Sequence, residues 1–138
     1  MATYNGINYA KTLLAPKDYL PSYWEGKVRA MYETYTFASN PSGDIVNVGI
    51  LRAGEVYLGC EIVNAALGSG VTLQLGDSGS DVRYMAAQSA ASAGNIIGKE
   101  AATGLGYSPS ADTVLQLKVG GGAATGTVQI TIWKVSPN

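Results

Sequence analysis

From Lys27 onward, apolar and polar side chains take alternate positions in short runs, each closed by a cluster of Gly, Pro, Asn, Asp or Ser. Successive side chains of an extended strand point to opposite faces, so a period of two marks a strand with one face in a core and the other in water. Residues 27–38 form the longest run, rich in the β-formers Val28, Tyr32, Thr34, Tyr35, Thr36 and Phe37, and the cluster Ser39-Asn40-Pro41-Ser42-Gly43-Asp44 ends it. Residues 45–51 put Val46, Val48 and Ile50 on one face. Arg52-Ala53-Gly54-Glu55 then turns the chain into residues 56–66, and the two runs predict a hairpin. Further on, Val71, Leu73 and Leu75 alternate with Thr72 and Gln74, and residues 82–87 follow the turn Gly76-Asp77-Ser78-Gly79-Ser80-Asp81. Leu115, Leu117 and Val119 alternate with Gln116 and Lys118, and a closing run over 127–135 alternates Val128, Ile130 and Ile132 with Thr127, Gln129 and Thr131. The glycine-rich stretch 120–126 between these last two reads as a flexible hairpin connection.

Between residues 88 and 106 the alternation fails: Ala90, Ala91, Ala93, Ala101 and Ala102 are mixed with Ser and Gly, a composition open to a short helix, a small-residue strand or a loop. Seven or eight strands within about 110 residues, with no long amphipathic helix, predict an all-β fold, an antiparallel β-sandwich or jelly roll. Alternation does not say which strand pairs with which. Residues 1–26 differ. They hold Tyr4, Tyr9, Tyr19, Tyr23 and Trp24, five of the chain's twelve aromatic side chains, and Pro16 and Pro21 interrupt them. Proline removes a backbone donor and disfavours helix at the residue before it. Disordered leaders are poor in aromatics, so this segment is expected to be an extended N-terminal arm whose five aromatic side chains pack on a neighbour or on its own sandwich, docking on a partner being the reading adopted, with the β-sandwich domain spanning 27–138.

Charge and composition narrow the function. Only 14% of the residues are charged, against roughly 25% in ordinary soluble domains, so part of the surface is expected to be covered by other copies or by a larger body. The net charge is −1 and the nine Lys/Arg are dispersed, which disfavours nucleic acid and anionic membrane as partners. The first residues carry neither a basic start nor an apolar stretch, and no run approaches the roughly 18 apolar residues that a membrane helix needs. Export by a cleavable signal and membrane insertion are not expected, and a reducing compartment of synthesis fits the one cysteine, Cys60, which has no partner for an intramolecular disulfide.

Catalytic chemistry finds few parts. With no histidine, the Ser-His-Asp and Cys-His arrangements and the commonest zinc ligand are all missing. Cys60 belongs to the alternating run Val56-Leu58-Cys60-Ile62, which predicts a thiol facing a core. Gly120 to Gly126 lacks the Lys-Ser/Thr ending of a phosphate loop and precedes a strand rather than a helix. The Asp77-Ser78-Gly79-Ser80-Asp81 segment offers oxygens that could suit calcium, but such clusters form tight turns by capping the backbone, and Arg83 and Tyr84 just beyond are placed to clamp Asp77 or Asp81. We therefore expect no enzyme, no cofactor and no metal site. An alternative is a receptor- or glycan-binding sandwich, with Trp24, Trp133 or Tyr107 stacked on sugar rings. Trp133 falls on the face opposite Ile130 and Ile132, so it lies either in an interface or outward.

The order of segments resembles that of tailed-phage virion structural proteins of the capsid decoration, or cement, type. The likeness is carried by the leader Met1-Ala2-Thr3-Tyr4, the strand around Gly26-Lys27-Val28-Arg29-Ala30-Met31-Tyr32-Glu33 and the stretch Val48-Gly49-Ile50-Leu51-Arg52-Ala53-Gly54. Val71-Thr72-Leu73-Gln74-Leu75-Gly76-Asp77, Asp81-Val82-Arg83-Tyr84-Met85 and Val128-Gln129-Ile130-Thr131-Ile132 continue it across most of the chain. The resemblance implies a β-sandwich on the surface of an assembled virion head, commonly a trimer, that binds the major capsid protein and clamps its subunits together. It supplies no catalytic residue, implies synthesis in the host cytoplasm, and leaves as the alternative a receptor- or glycan-binding module of a phage head or tail fiber.

Overall fold

The computed structural model of the protein describes residues 27–136. Eight strands follow one another: β1 Lys27–Asn40, β2 Ile45–Leu51, β3 Val56–Asn64, β4 Thr72–Asp77, β5 Ser80–Ser89, β6 Gly94–Ile97, β7 Thr113–Gly120 and β8 Ala124–Ser136. They form two four-stranded antiparallel sheets, sheet I in the order β1-β8-β3-β6 and sheet II in the order β2-β7-β4-β5. That order is the eight-stranded jelly roll: consecutive strands cross from one sheet to the other, and only β4 and β5 are neighbours joined within a sheet.

Seven of the eight strands lie where alternation predicts them. The eighth, β6, lies in the ambiguous 88–106 stretch, where beyond the end of β5 a strand of four residues pairs with β3 through Glu61↔Ile97 and Asn64↔Gly94. Two connections differ from expectation. β2 and β3 are not a hairpin; β2 pairs with β7 in sheet II and β3 with β8 and β6 in sheet I. Residues 120–126 are likewise no hairpin loop but the corner by which β7 of sheet II passes into β8 of sheet I. Its glycines serve close approach: Gly121 has φ +75°, and a Cβ there would collide with the Gly70 carbonyl of the adjoining corner.

The core lies between the sheets. Ile62, Ile130 and Ile132 of sheet I meet Leu73, Leu75, Leu115 and Leu117 of sheet II, each at 1% exposure or less. Two bulges reverse the predicted faces along their strands. In β2 the register slips between Asn47 and Gly49, so beyond Val48 the buried position passes to Leu51 and Ile50 is exposed. In β3 it slips between Tyr57 and Gly59, so Tyr57, Cys60 and Ile62 are buried while Leu58, expected on the Cys60 face, is exposed. A bulge inserts one residue and shifts the parity of everything beyond it, which alternation alone does not register.

Candidate interaction surface

The buried polar groups are tied to one another. Asp77 closes the β4–β5 turn: its Oδ1 accepts the amides of Gly79 at 2.9 Å and Ser80 at 3.0 Å, and its Oδ2 accepts Arg83 Nε at 2.6 Å and the Tyr84 hydroxyl at 3.0 Å. Burial alone would push this carboxyl up. Arg83, the two amides and Tyr84 outweigh it and hold Asp77 below the usual carboxylate range. The expected guanidinium clamp is therefore on Asp77, and Asp81 turns away to Lys118 Nζ at 2.9 Å. Because the two carboxylates diverge and Asp77 is saturated with donors, the turn has the geometry of a capped loop rather than of a calcium cradle. Arg83 also lies 4.5 Å from the centre of the Tyr107 ring, which meets Tyr84 edge-on. Tyr107 is thus part of this knot, half-buried with Arg83 over its ring.

A second knot lies at the end of the sandwich where β2 passes to β3. Lys134 Nζ donates to Glu55 Oε2 at 2.6 Å, Ser136 donates to Oε1 at 2.8 Å, and the Arg52 amide donates to Oε2 at 2.8 Å. Burial raises the Glu55 carboxyl, but these donors, led by Lys134, bring it below its ordinary range. Cys60 is buried, and burial pushes its thiol up to about 11, which suppresses the thiolate and its nucleophilicity. Among the described residues, no three of Asp, Glu, Cys and His converge on a point where a metal ion could sit.

The surfaces of the two sheets differ in chemistry. Sheet II turns Asn47, Gln116, Lys118 and Gln74 outward among the exposed Ile45, Ile50 and Val114, and Asp81 pairs with Lys118 at its margin, so the two faces differ in polar and charged content rather than in having apolar groups. The outer rows of sheet I are Val28, Ala30, Tyr32, Thr34 and Thr36 of β1, Trp133, Thr131, Gln129 and Thr127 of β8, Glu61 and Val63 of β3, and Asn95 and Ile97 of β6. Glu61 is the one charged side chain in these rows, and Asn95 Nδ2 donates to it at 2.9 Å. Several large apolar groups there face solvent: Val28 and Tyr32 at 62% exposure, Ile97 at 54% and Val63 at 44%. Scattered apolar groups are normal on a surface, but a sheet face with one charge among apolar, Thr and aromatic rows is what an interaction site presents.

Trp133 is half-buried on this face, as its alternation predicts. Tyr4, Tyr9, Tyr19, Tyr23 and Trp24 of the predicted arm lie outside the described residues; their segment joins the fold at Lys27, the first residue of β1. The outward apolar groups of sheet I were partly legible. The parity of β1 places Val28 and Tyr32 opposite Phe37, whereas Ile97 belongs to the one strand that alternation does not reveal.

No protein-family model matches the chain, and no curated protein matches it. Solved structures do. A chain of the cyanophage Pam1 capsid asymmetric unit superposes with a TM-score of 0.66 at 24% identity, covering 99% of this chain and 92% of that one. One from the capsid of Ralstonia phage GP4 gives 0.64 at 19% identity, covering 82% and 86%, and one from the acid-stable capsid of Helicobacter pylori bacteriophage KHP30 gives 0.57 at 9% identity, covering 80% and 89%. The jelly roll of this chain is thus a fold found, at close to full length, among the chains of phage capsids.

Proposed function

We propose that the protein is a non-enzymatic structural component of a phage virion, a decoration or cement protein that binds the assembled head and stabilises contacts between subunits of the major capsid protein. The observation that carries this reading is the end-to-end likeness to a chain of a phage capsid asymmetric unit, 99% of one chain against 92% of the other. The charge-poor outer face of sheet I supports it, since interface cores are depleted in Lys and Glu and enriched in aromatics. On this reading the protein sits on the head surface as a homo-oligomer, a trimer. Residues 1–26 act as the arm that engages a neighbour, with Tyr4, Tyr9, Tyr19, Tyr23 and Trp24 as anchors.

The mechanism is mass action. A protein that binds joined capsid subunits and not separated ones stabilises the joined state by its binding free energy, and repetition over the shell multiplies a modest contribution. The test is to add purified protein to expanded heads from a parent phage that lacks it. Saturable occupancy at symmetry-related positions, with DNA release moved to higher temperature, is the expected result; heads that stay bare, or binding confined to tails or host glycans, would overturn it. Removing residues 2–24 from the same protein separates the arm's role, because each lost aromatic anchor is expected to cost about 2 kcal/mol of binding. Occupancy should then vanish while the circular dichroism of the sandwich persists. Full occupancy by the truncated protein would move the binding surface onto the sheets.

A further inference from the structure

β1 is an edge strand of fourteen residues, paired on one side with β8 and exposed over almost its whole length on both faces. Among the described residues no strand pairs with its other side. The Thr34 amide points away from β8 and is met by its neighbour's carboxylate, Glu33 Oε1, at 2.9 Å; the Ala38 amide does the same with Asn40 Oδ1. Backbone groups alternate direction along a strand, so Val28, Ala30, Tyr32 and Thr34 all aim N–H and C=O at the open edge. A long exposed edge of this kind is a template for another strand.

The side chains of β1 specify which strand. Arg29 and Glu33 lie on the same face, opposite Lys134 and Ile130 of β8, and both are exposed. They are four residues apart with Met31 midway. We propose that β1 pairs antiparallel with β1 of a second copy about a two-fold axis at Met31, joining two copies of sheet I into one eight-stranded sheet. In this register Arg29 of each copy stands opposite Glu33 of the other, at positions where side chains approach most closely, giving two ion pairs. Ala30 then exchanges both backbone hydrogen bonds with Tyr32, a small residue beside a large one, and Val28 does so with Thr34. A register centred on Ala30 also aligns the backbone groups and pairs Lys27 with Glu33, but it leaves Arg29 facing Met31.

The test uses the full chain carrying Met31→Cys, the native Cys60 being buried. Mild oxidation should give a disulfide-linked dimer on a denaturing gel, because the two Cβ atoms meet at the axis, while Ala30→Cys and Val28→Cys should link poorly. Adding Arg29→Glu to Met31→Cys should lower the yield severalfold, and adding Glu33→Arg as well should restore it by exchanging the pair. Failure of Met31→Cys to link at any concentration, or preferential linking by Ala30→Cys, overturns the proposal. So does a yield indifferent to the charge reversals. The first of these outcomes would make Arg29 and Glu33 guards that keep the edge from pairing.

Discussion

Tyr57 is fully buried against Tyr84, 4.6 Å between ring centres, yet among the described residues its hydroxyl has no hydrogen-bond partner beyond the weak thiol of Cys60 beside it. A buried hydroxyl without a good partner keeps its desolvation cost of about 1–3 kcal/mol. Tyr57→Phe is therefore expected to leave the fold intact and stabilise it by about 1 kcal/mol, read as a higher urea midpoint at unchanged slope. Asp77 and Glu55 act in the opposite sense, each held below the ordinary carboxylate range by its donors. Their stabilisation is fully present above the unfolded value of about 4 and is lost as pH falls through the lower folded value. The melting temperature should thus drop between about pH 5 and pH 2. Asp77→Asn should lower stability at neutral pH by about 2 kcal/mol and flatten that acid slope; an unchanged slope would place the proton uptake elsewhere. The clamp on this turn was legible, since an arginine six residues after an aspartate across a tight turn can reach back to it. Which aspartate receives it is decided by Lys118, a residue brought in from β7 by the sheet.

At the scale of the element, alternation found strands but not the two bulges that decide which side of each strand is wet. The β3 bulge puts Gly59 at φ +145° and brings Glu100 Oε1 to 3.0 Å from the Cys60 amide, which donates to it. A Cβ at Gly59 would lie 2.9 Å from that same carboxylate oxygen. Gly59→Ala is accordingly expected to destabilise by about 1–3 kcal/mol, from backbone strain and displacement of Glu100. Glu100→Gln keeps an acceptor in place and should be tolerated. Comparative urea melts of the two variants check this, and equal, small effects would mean that the bulge adapts. The signal for the bulge was present as a glycine inside a strand run, but alternation read Cys60 correctly as buried and Leu58 wrongly, because the slip falls between them. β6 escaped for a different reason: a four-residue strand of Gly, Asn and two Ile is too short to establish a period.

For the whole molecule, the class of fold was legible and the order of its strands was not, because pairing is set by contacts between segments far apart in sequence. The longest of these joins β1 to β8 with Lys27 opposite Ser136. Local turn signals such as Arg52-Ala53-Gly54-Glu55 suggested a hairpin, but the Glu55–Lys134 knot at that turn carries the chain across to the other sheet. The charge-poor face of sheet I became legible only once the strands were ordered, and the aromatic arm read from composition lies outside the described residues. If both the three-fold assembly and the two-fold β1 contact operate, they are distinct symmetry elements and would tie copies into a net instead of closed islands. The Lys27–Ser136 rung carries one more consequence, for mechanics. Both ends of the described chain leave the sandwich side by side, so tension between them would peel β1 from β8 one rung at a time, a direction of low resistance. An arm anchored to a moving shell would then be pulled where the fold is weakest, unless a second strand across the open edge of β1 shares the strain. Single-molecule stretching between these two ends should record low, sawtooth-free yielding of β1 ahead of the rest of the jelly roll.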